Sequence, residues 1–120
     1  MRSKLLRVTE SRFPSDENGR VLQRMAAGGD DFTRPRTIDF CFVFPVREQA
    51  LDFVHVVDDR ELEVCLSFYE EEDCWQVIVK RYMLPEHSEI TATEQSLTAQ
   101  AETYGGRADG WGCMQVPSQH

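Results

Sequence analysis

The sequence contains no run of apolar residues approaching the roughly 18 that a membrane-crossing helix needs. Between Met1 and Phe13 the aliphatic residues are only Leu5, Leu6 and Val8, too few for a continuous secretory core. A chain that is neither exported nor embedded, placed in the cytoplasm, is the resulting expectation. Closely spaced cysteines are missing too: Cys41, Cys65, Cys74 and Cys113 lie 24, 9 and 39 positions apart. That spacing matches neither a zinc knuckle nor a thioredoxin-like pair, so four free, mostly buried thiols are expected, with no metal and no cofactor. Positive charge is in short supply, with 13 basic against 21 acidic side chains and a net charge of -8. Such a surface repels phosphate backbones, which disfavours direct nucleic-acid binding and suits a basic protein partner.

Motifs for catalysis are equally scarce. There is no glycine-rich phosphate loop after a strand, no Gly-x-Ser-x-Gly elbow, and no placed Cys-His pair. The acidic runs Asp30-Asp31, Asp58-Asp59 and Glu70 to Asp73 lack the alternating oxygens, central glycine and terminal glutamate of a calcium loop. They read as solvated turns. Carboxylates without a pocket do not make acid-base chemistry, so no enzyme is expected.

What is present is a pattern. A length of 120 residues and 41% apolar content suffice for one core. Residues 1–14 form a polar lead-in, 15–117 a single domain, and 118–120 the C-terminal end. Val21, Leu22, Met25 and Ala26 repeat at helical spacing from Ser15 or Asp16 to the stop at Gly28-Gly29. Ile38, Phe40, Phe42 and Phe44 then alternate with other residues at the period of a strand that Pro45 ends. Next, Val46, Ala50, Phe53, Val54 and Val57 line one side of a helix reaching about Asp59. A hairpin follows: Leu62, Val64, Leu66 and Phe68 alternate, the acidic cluster interrupts, and Trp75, Val77 and Val79 resume. A third helix spans about 88–104, with Ile90, Leu97, Ala101 and Tyr104 on one stripe, Thr91 and Glu94 spaced as a capping box, and Gly105-Gly106 as the stop. The last strand, about Ala108 to Val116, is broken by Gly110 and Gly112, as at an edge or a bulge.

This order is a helix followed by β-α-β-β-α-β, the split unit of an α+β, ferredoxin-like sandwich with a four-stranded antiparallel sheet and an extra N-terminal helix. Right-handed crossovers make the first and third strands central and the second and fourth edges. If Phe40, Phe42, Val64, Leu66, Val77 and Val79 face the crossover helices, then Cys41, Val43, Cys65, Tyr69, Ile78 and Tyr82 occupy the other face. That face reads as too apolar to stay bare. Cover by the first helix, through Val21, Leu22 and Met25, or by a second subunit is expected.

Several stretches then resemble a known family, the RraB-type inhibitors of ribonuclease E. They are Pro35-Arg36 leading to Ile38-Asp39-Phe40 and Phe44-Pro45; Arg81-Tyr82-Met83 followed by Pro85, His87, Ile90 and Thr91; and Tyr104-Gly105-Gly106 leading to Asp109-Gly110-Trp111-Gly112. They keep their order and span about residues 16 to 117. The resemblance implies a ferredoxin-like fold, no catalytic activity, and control of messenger RNA decay by docking on the ribonuclease. Named members of the family carry a long acidic C-terminal extension, whereas this sequence ends Pro117-Ser118-Gln119-His120. The partner implied is ribonuclease E or a related protein.

Five residues are candidates for partner contact: Asp109, Trp111, Tyr69, Tyr82 and Ile78. Trp111 could anchor an interface, since Trp is enriched at binding hot spots and glycines flank it. It could equally close the end of the core beside a glycine bulge, which is the commoner fate of a large aromatic on a short edge strand. Trp75 reads as core, and His87 as a local hydrogen-bonding residue at the start of the third helix. His55 has no evident partner. An RNA-binding module would need a Gly-aromatic motif in the third strand, and Cys74 to Tyr82 contains no glycine. A small-ligand sensor on the same scaffold is the alternative function, because fold does not settle function.

Overall fold

The computed structural model describes residues 16–57, 62–114 and 116. Helix α1, Glu17–Ala27, starts where Asp16 accepts a hydrogen bond from the Gly19 amide at 2.8 Å. It stops at Gly28 and Gly29, the latter at φ 94°, where a Cβ would be strained. Strand β1, Arg36–Phe44, carries the alternation of phenylalanines and ends at Pro45. Helix α2, Arg47–Val56, buries Ala50 and Phe53, with Val57 buried just after it. Val46 is the N-cap residue and is 45% exposed, so it does not join the buried stripe. The expected end near Asp59, and the pair Asp58-Asp59, lie outside the described residues.

Strand β2, Leu62–Tyr69, and strand β3, Cys74–Met83, form the expected hairpin. The short turn Glu70–Glu72 and a left-handed Asp73 at φ 51° connect them. Helix α3, His87–Thr103, buries Ile90, Leu97 and Ala101. The Thr91/Glu94 capping box is not formed: the N-cap residue is Glu86, and Thr91 lies a full turn inside the helix. Strand β4, Arg107–Cys113, ends before Met114 and is shorter than expected.

The sheet order is β2-β3-β1-β4, all neighbours antiparallel, as the crossover rule requires. The fold is α+β and consistent with a ferredoxin-like arrangement. Opposite β1, strand β4 shifts register between Phe40↔Trp111 and Phe42↔Ala108. Asp109 and Gly110 there oppose the single residue Cys41, a bulge allowed by Gly110 at φ 95°.

One side of the sheet supplies Ile38, Phe40, Phe42, Phe44, Val77 and Val79, all buried, to the helices. Phe53 of α2 packs edge-on to Phe42 at 5.3 Å and tilted on Phe44 at 5.2 Å. Each such side chain contributes about 1.5–3 kcal/mol through removal from water. Helix α1 adds the fully buried Leu22 to this same cluster and rests against α3. The expectation that α1 covers the opposite face is therefore wrong. Leu22 and Met25 of its apolar stripe pack on the core beside α3 instead.

Candidate functional site

Among the described residues no helix lies on the other face of the sheet, and the side chains of this uncovered face are a mosaic in which only Val43 is buried. Register places Cys65, Ile78 and Cys41 in one row across β2, β3 and β1, and Glu63, Lys80 and Asp39 in the next. Lys80 Nζ lies 3.3 Å from both carboxylate oxygens of Asp39. That hydrogen bond and the Asp39 charge raise the Lys80 ammonium above its ordinary range. The face is thus more polar than the apolar list alone implied, because Thr37, Asp39, Gln76 and Lys80 share it. A groove of about 570 Å³ runs over it between Asp39, Lys80, Cys41 and the Asp109–Met114 segment.

None of the four thiols is fully buried; Cys65 is exposed and the others are partly covered. Burial, then the charges of Asp39 and Asp109, push the Cys41 thiol up. Cys113 is raised by burial, against the pull of Arg36. Both therefore stay protonated and are poor nucleophiles.

At the top of β1, Arg36 is buried with Asp30, Nη1 to Oδ2 at 2.7 Å, side chains 4% and 0% exposed. Arg36 Nη2 also donates to the Asp31 carbonyl at 2.9 Å and the Arg34 carbonyl at 3.1 Å, while Nη1 reaches Met114 O at 3.3 Å. Burial pulls the guanidinium down, but the Asp30 carboxylate, together with Cys113, pushes it up and the net direction is up. Asp30 is therefore not part of a solvated turn, as its sequence neighbourhood suggests, but the counter-ion of Arg36. Together with Asp31 N donating to Val116 O at 2.7 Å, this cluster ties the α1–β1 loop to the residues after β4.

A second cluster joins α1, α3 and β4 through Asn18. Its Nδ2 donates to Thr91 Oγ1 and to Glu94 Oε1, each at 3.1 Å, and its Oδ1 accepts from the Trp111 indole at 2.8 Å. His87 Nε2 stands 2.9 Å from Asp16 Oδ2, so the N-cap of α1 is also held by α3. The Gly19 amide, then His87, lowers the Asp16 carboxyl below its usual range. His87 does make a hydrogen bond at the start of α3, with a residue 71 positions away.

A family model described as Regulator of ribonuclease activity B, RraB, matches residues 15–113. The chain belongs to the RraB family. No curated protein compared with it matches. The stretches that carry the RraB resemblance have physical roles in this structure. Pro35-Arg36 delivers the buried guanidinium. Gly106 lets the chain pass the Phe44 ring, where a Cβ would sit 2.3 Å from a ring carbon. Asp109-Gly110-Trp111-Gly112 makes the bulge and supplies the indole to Asn18. These stretches fasten elements together, so they mark the fold more directly than a contact surface.

Of the five contact candidates, the structure gathers three on the uncovered face. Tyr82, 69% exposed, pairs with Thr37 at the Arg36 end of the strands. Ile78 is half-buried in the middle, and Tyr69 lies at the opposite end next to Cys74. The Glu71 charge, then burial and Glu72, raises the Tyr69 hydroxyl. Asp109 is exposed in the bulge. Trp111 points to the helix side, half-buried against the core and bonded to Asn18, away from the other four. Trp75 is half-buried as a partner of Phe68 at 5.1 Å, with Arg47 over its ring at 5.6 Å. Sequence reasoning missed Asn18 and the Arg36–Asp30 pair; an Arg directly after Pro at a strand start was the available signal. Among the described residues, no helix is long and apolar enough to cross a membrane.

Proposed function

We propose that this RraB chain is a non-catalytic cytoplasmic regulator that inhibits ribonuclease E, or a related ribonuclease, by docking on it as a protein. The supporting observation is the family match over residues 15–113, which includes every element from α1 to β4. A net charge of -8 argues that the effect is exerted on the enzyme and not by shielding its RNA. Phe40, Phe42, Phe44 and Phe53 fill the centre of the space between sheet and helices, and a groove of about 470 Å³ at its β2 end, lined by Val57, Leu62, Arg81, Glu89 and Leu97, is where a small-ligand sensor would bind instead.

The test is a cleavage assay with purified ribonuclease E, a labelled RNA and increasing amounts of the chain. Slowed cleavage that saturates, together with a complex seen by sedimentation, is expected. Unchanged cleavage at saturating chain, or slowing that tracks binding of the chain to RNA alone, rejects the reading. Self-association through the uncovered face is part of the same proposal. Its check is the sedimentation of the chain and of Tyr82→Glu, and equal monomeric masses for both reject it.

A further inference from the structure

The sheet has two edges, and they are built differently. On β4 the outward backbone is broken by the Asp109-Gly110 bulge, a common way for proteins to stop strands from adding to an edge. Strand β2 has no such device. Its register with β3 runs without a shift from Leu62↔Arg81 to Tyr69↔Cys74, and it contains no proline, glycine or lysine. Among the described residues no strand pairs with it on the side away from β3, where along eight residues it presents a regular row of backbone donors and acceptors. Its solvent side chains include Cys65, Ser67 and Phe68, the last 45% exposed.

Charge decides what can pair there. Every ionisable side chain of β2 and of the turn after it that carries charge at neutral pH is acidic: Glu63, Glu70, Glu71, Glu72 and Asp73, all exposed. A second copy pairing edge to edge would bring Glu63 and the acidic turn of both chains together, within a molecule already at -8. Like charges across a strand pair are destabilising, whereas a basic strand gains at each of these positions.

We propose that the free edge of β2 accepts an extended, basic segment of a protein partner as a fifth strand, with Glu63 and the Glu70–Asp73 turn selecting for its positive charge. Backbone pairing supplies the affinity, and the exposed Phe68 offers an apolar contact to alternate side chains of the incoming strand. This assignment rests on the docking function proposed above and gives it a place.

Hydrogen exchange of the full chain, alone and saturated with purified ribonuclease E, tests it. Backbone amides of residues 62–69 are expected to slow on binding. The double variant Glu63→Lys/Ser67→Lys, at two exposed positions, is expected to bind about tenfold more weakly. Gln95→Lys, which adds one positive charge on the exposed side of α3, is expected to stay within about twofold of the unaltered chain. Circular dichroism establishes that the variants fold, and the exchange result on the unaltered chain stands without them. A complex whose protection lies elsewhere overturns the edge assignment and leaves the docking function in place. Absence of any complex overturns both. Protection of β2 that rises with chain concentration in the absence of the ribonuclease identifies a second copy as the occupant and also overturns the proposal.

Discussion

Asp30 and Arg36 are six positions apart, and nothing between them marks them as partners. In sequence, Asp30 is one of several paired acids; in the fold it is 9% exposed and faces a guanidinium. Removing one member strands a buried charge, so Arg36→Ala should cost about 3–5 kcal/mol in denaturant unfolding. Replacing both by apolar residues of similar volume should recover most of that loss. The glycines allow a sharper comparison. Gly106→Ala drives a methyl into the Phe44 ring and should destabilise by about 1–3 kcal/mol. Gly112→Ala meets nothing within 4 Å and should change stability by no more than about 0.5 kcal/mol. The doublet Gly105-Gly106 was legible as a helix stop because that depends on local backbone conformation. Its clearance beneath Phe44, a residue 62 positions earlier (106 − 44), was not.

Among the elements, α1 is tied to α3 and β4 through the side chain of Asn18 and should respond to its loss. Asn18→Ala removes the acceptor of the Trp111 indole and the donor to Thr91 and Glu94. Faster amide exchange over residues 17–27, with β1 and β3 unchanged, is the expected outcome. The N-cap adds a pH dependence. The Asp16 carboxyl is lowered in the folded chain, first by the Gly19 amide and then by His87. A lowered carboxylate contributes stability that is present above its unfolded value near 3.8 and is lost as pH falls through its folded value. Asp16→Asn keeps a capping side chain and removes the titration. Its acid unfolding profile should therefore be flatter than that of the unaltered chain below about pH 4. Helix α1 itself was readable from its apolar spacing and the Gly28-Gly29 stop. Its position beside α3 was not, because the same stripe could have covered either side of the sheet. Thr91 and Glu94 illustrate the same limit: their spacing matched a local motif, and the structure uses both to hold Asn18.

Taken as a whole, the molecule combines a net charge of -8 with one bulged sheet edge and one that, among the described residues, is regular and without a neighbour. The docking proposed here should weaken as salt rises from low values toward about 0.15 M, where charges are screened beyond about 8 Å. Affinity measured across that range checks it, and a salt-independent value would count against an acidic contact surface. Residue patterns by themselves determined the order of helices and strands, the side that β1, β2 and β3 give to the core, and through crossover handedness the strand order β2-β3-β1-β4. These follow from periodicity and chain sterics, which act over a few residues and leave a local trace. Only the tertiary structure decided that Trp111 bonds Asn18 across 93 positions, that Arg36 is buried with Asp30, and that α1 lies with the other helices. Gly110 and Gly112 made an irregular edge or a bulge legible in β4, and the structure fixed it as a bulge at Asp109-Gly110 while β2 runs true. Such choices depend on which polar group several elements place opposite another when they pack together, and no single segment encodes that.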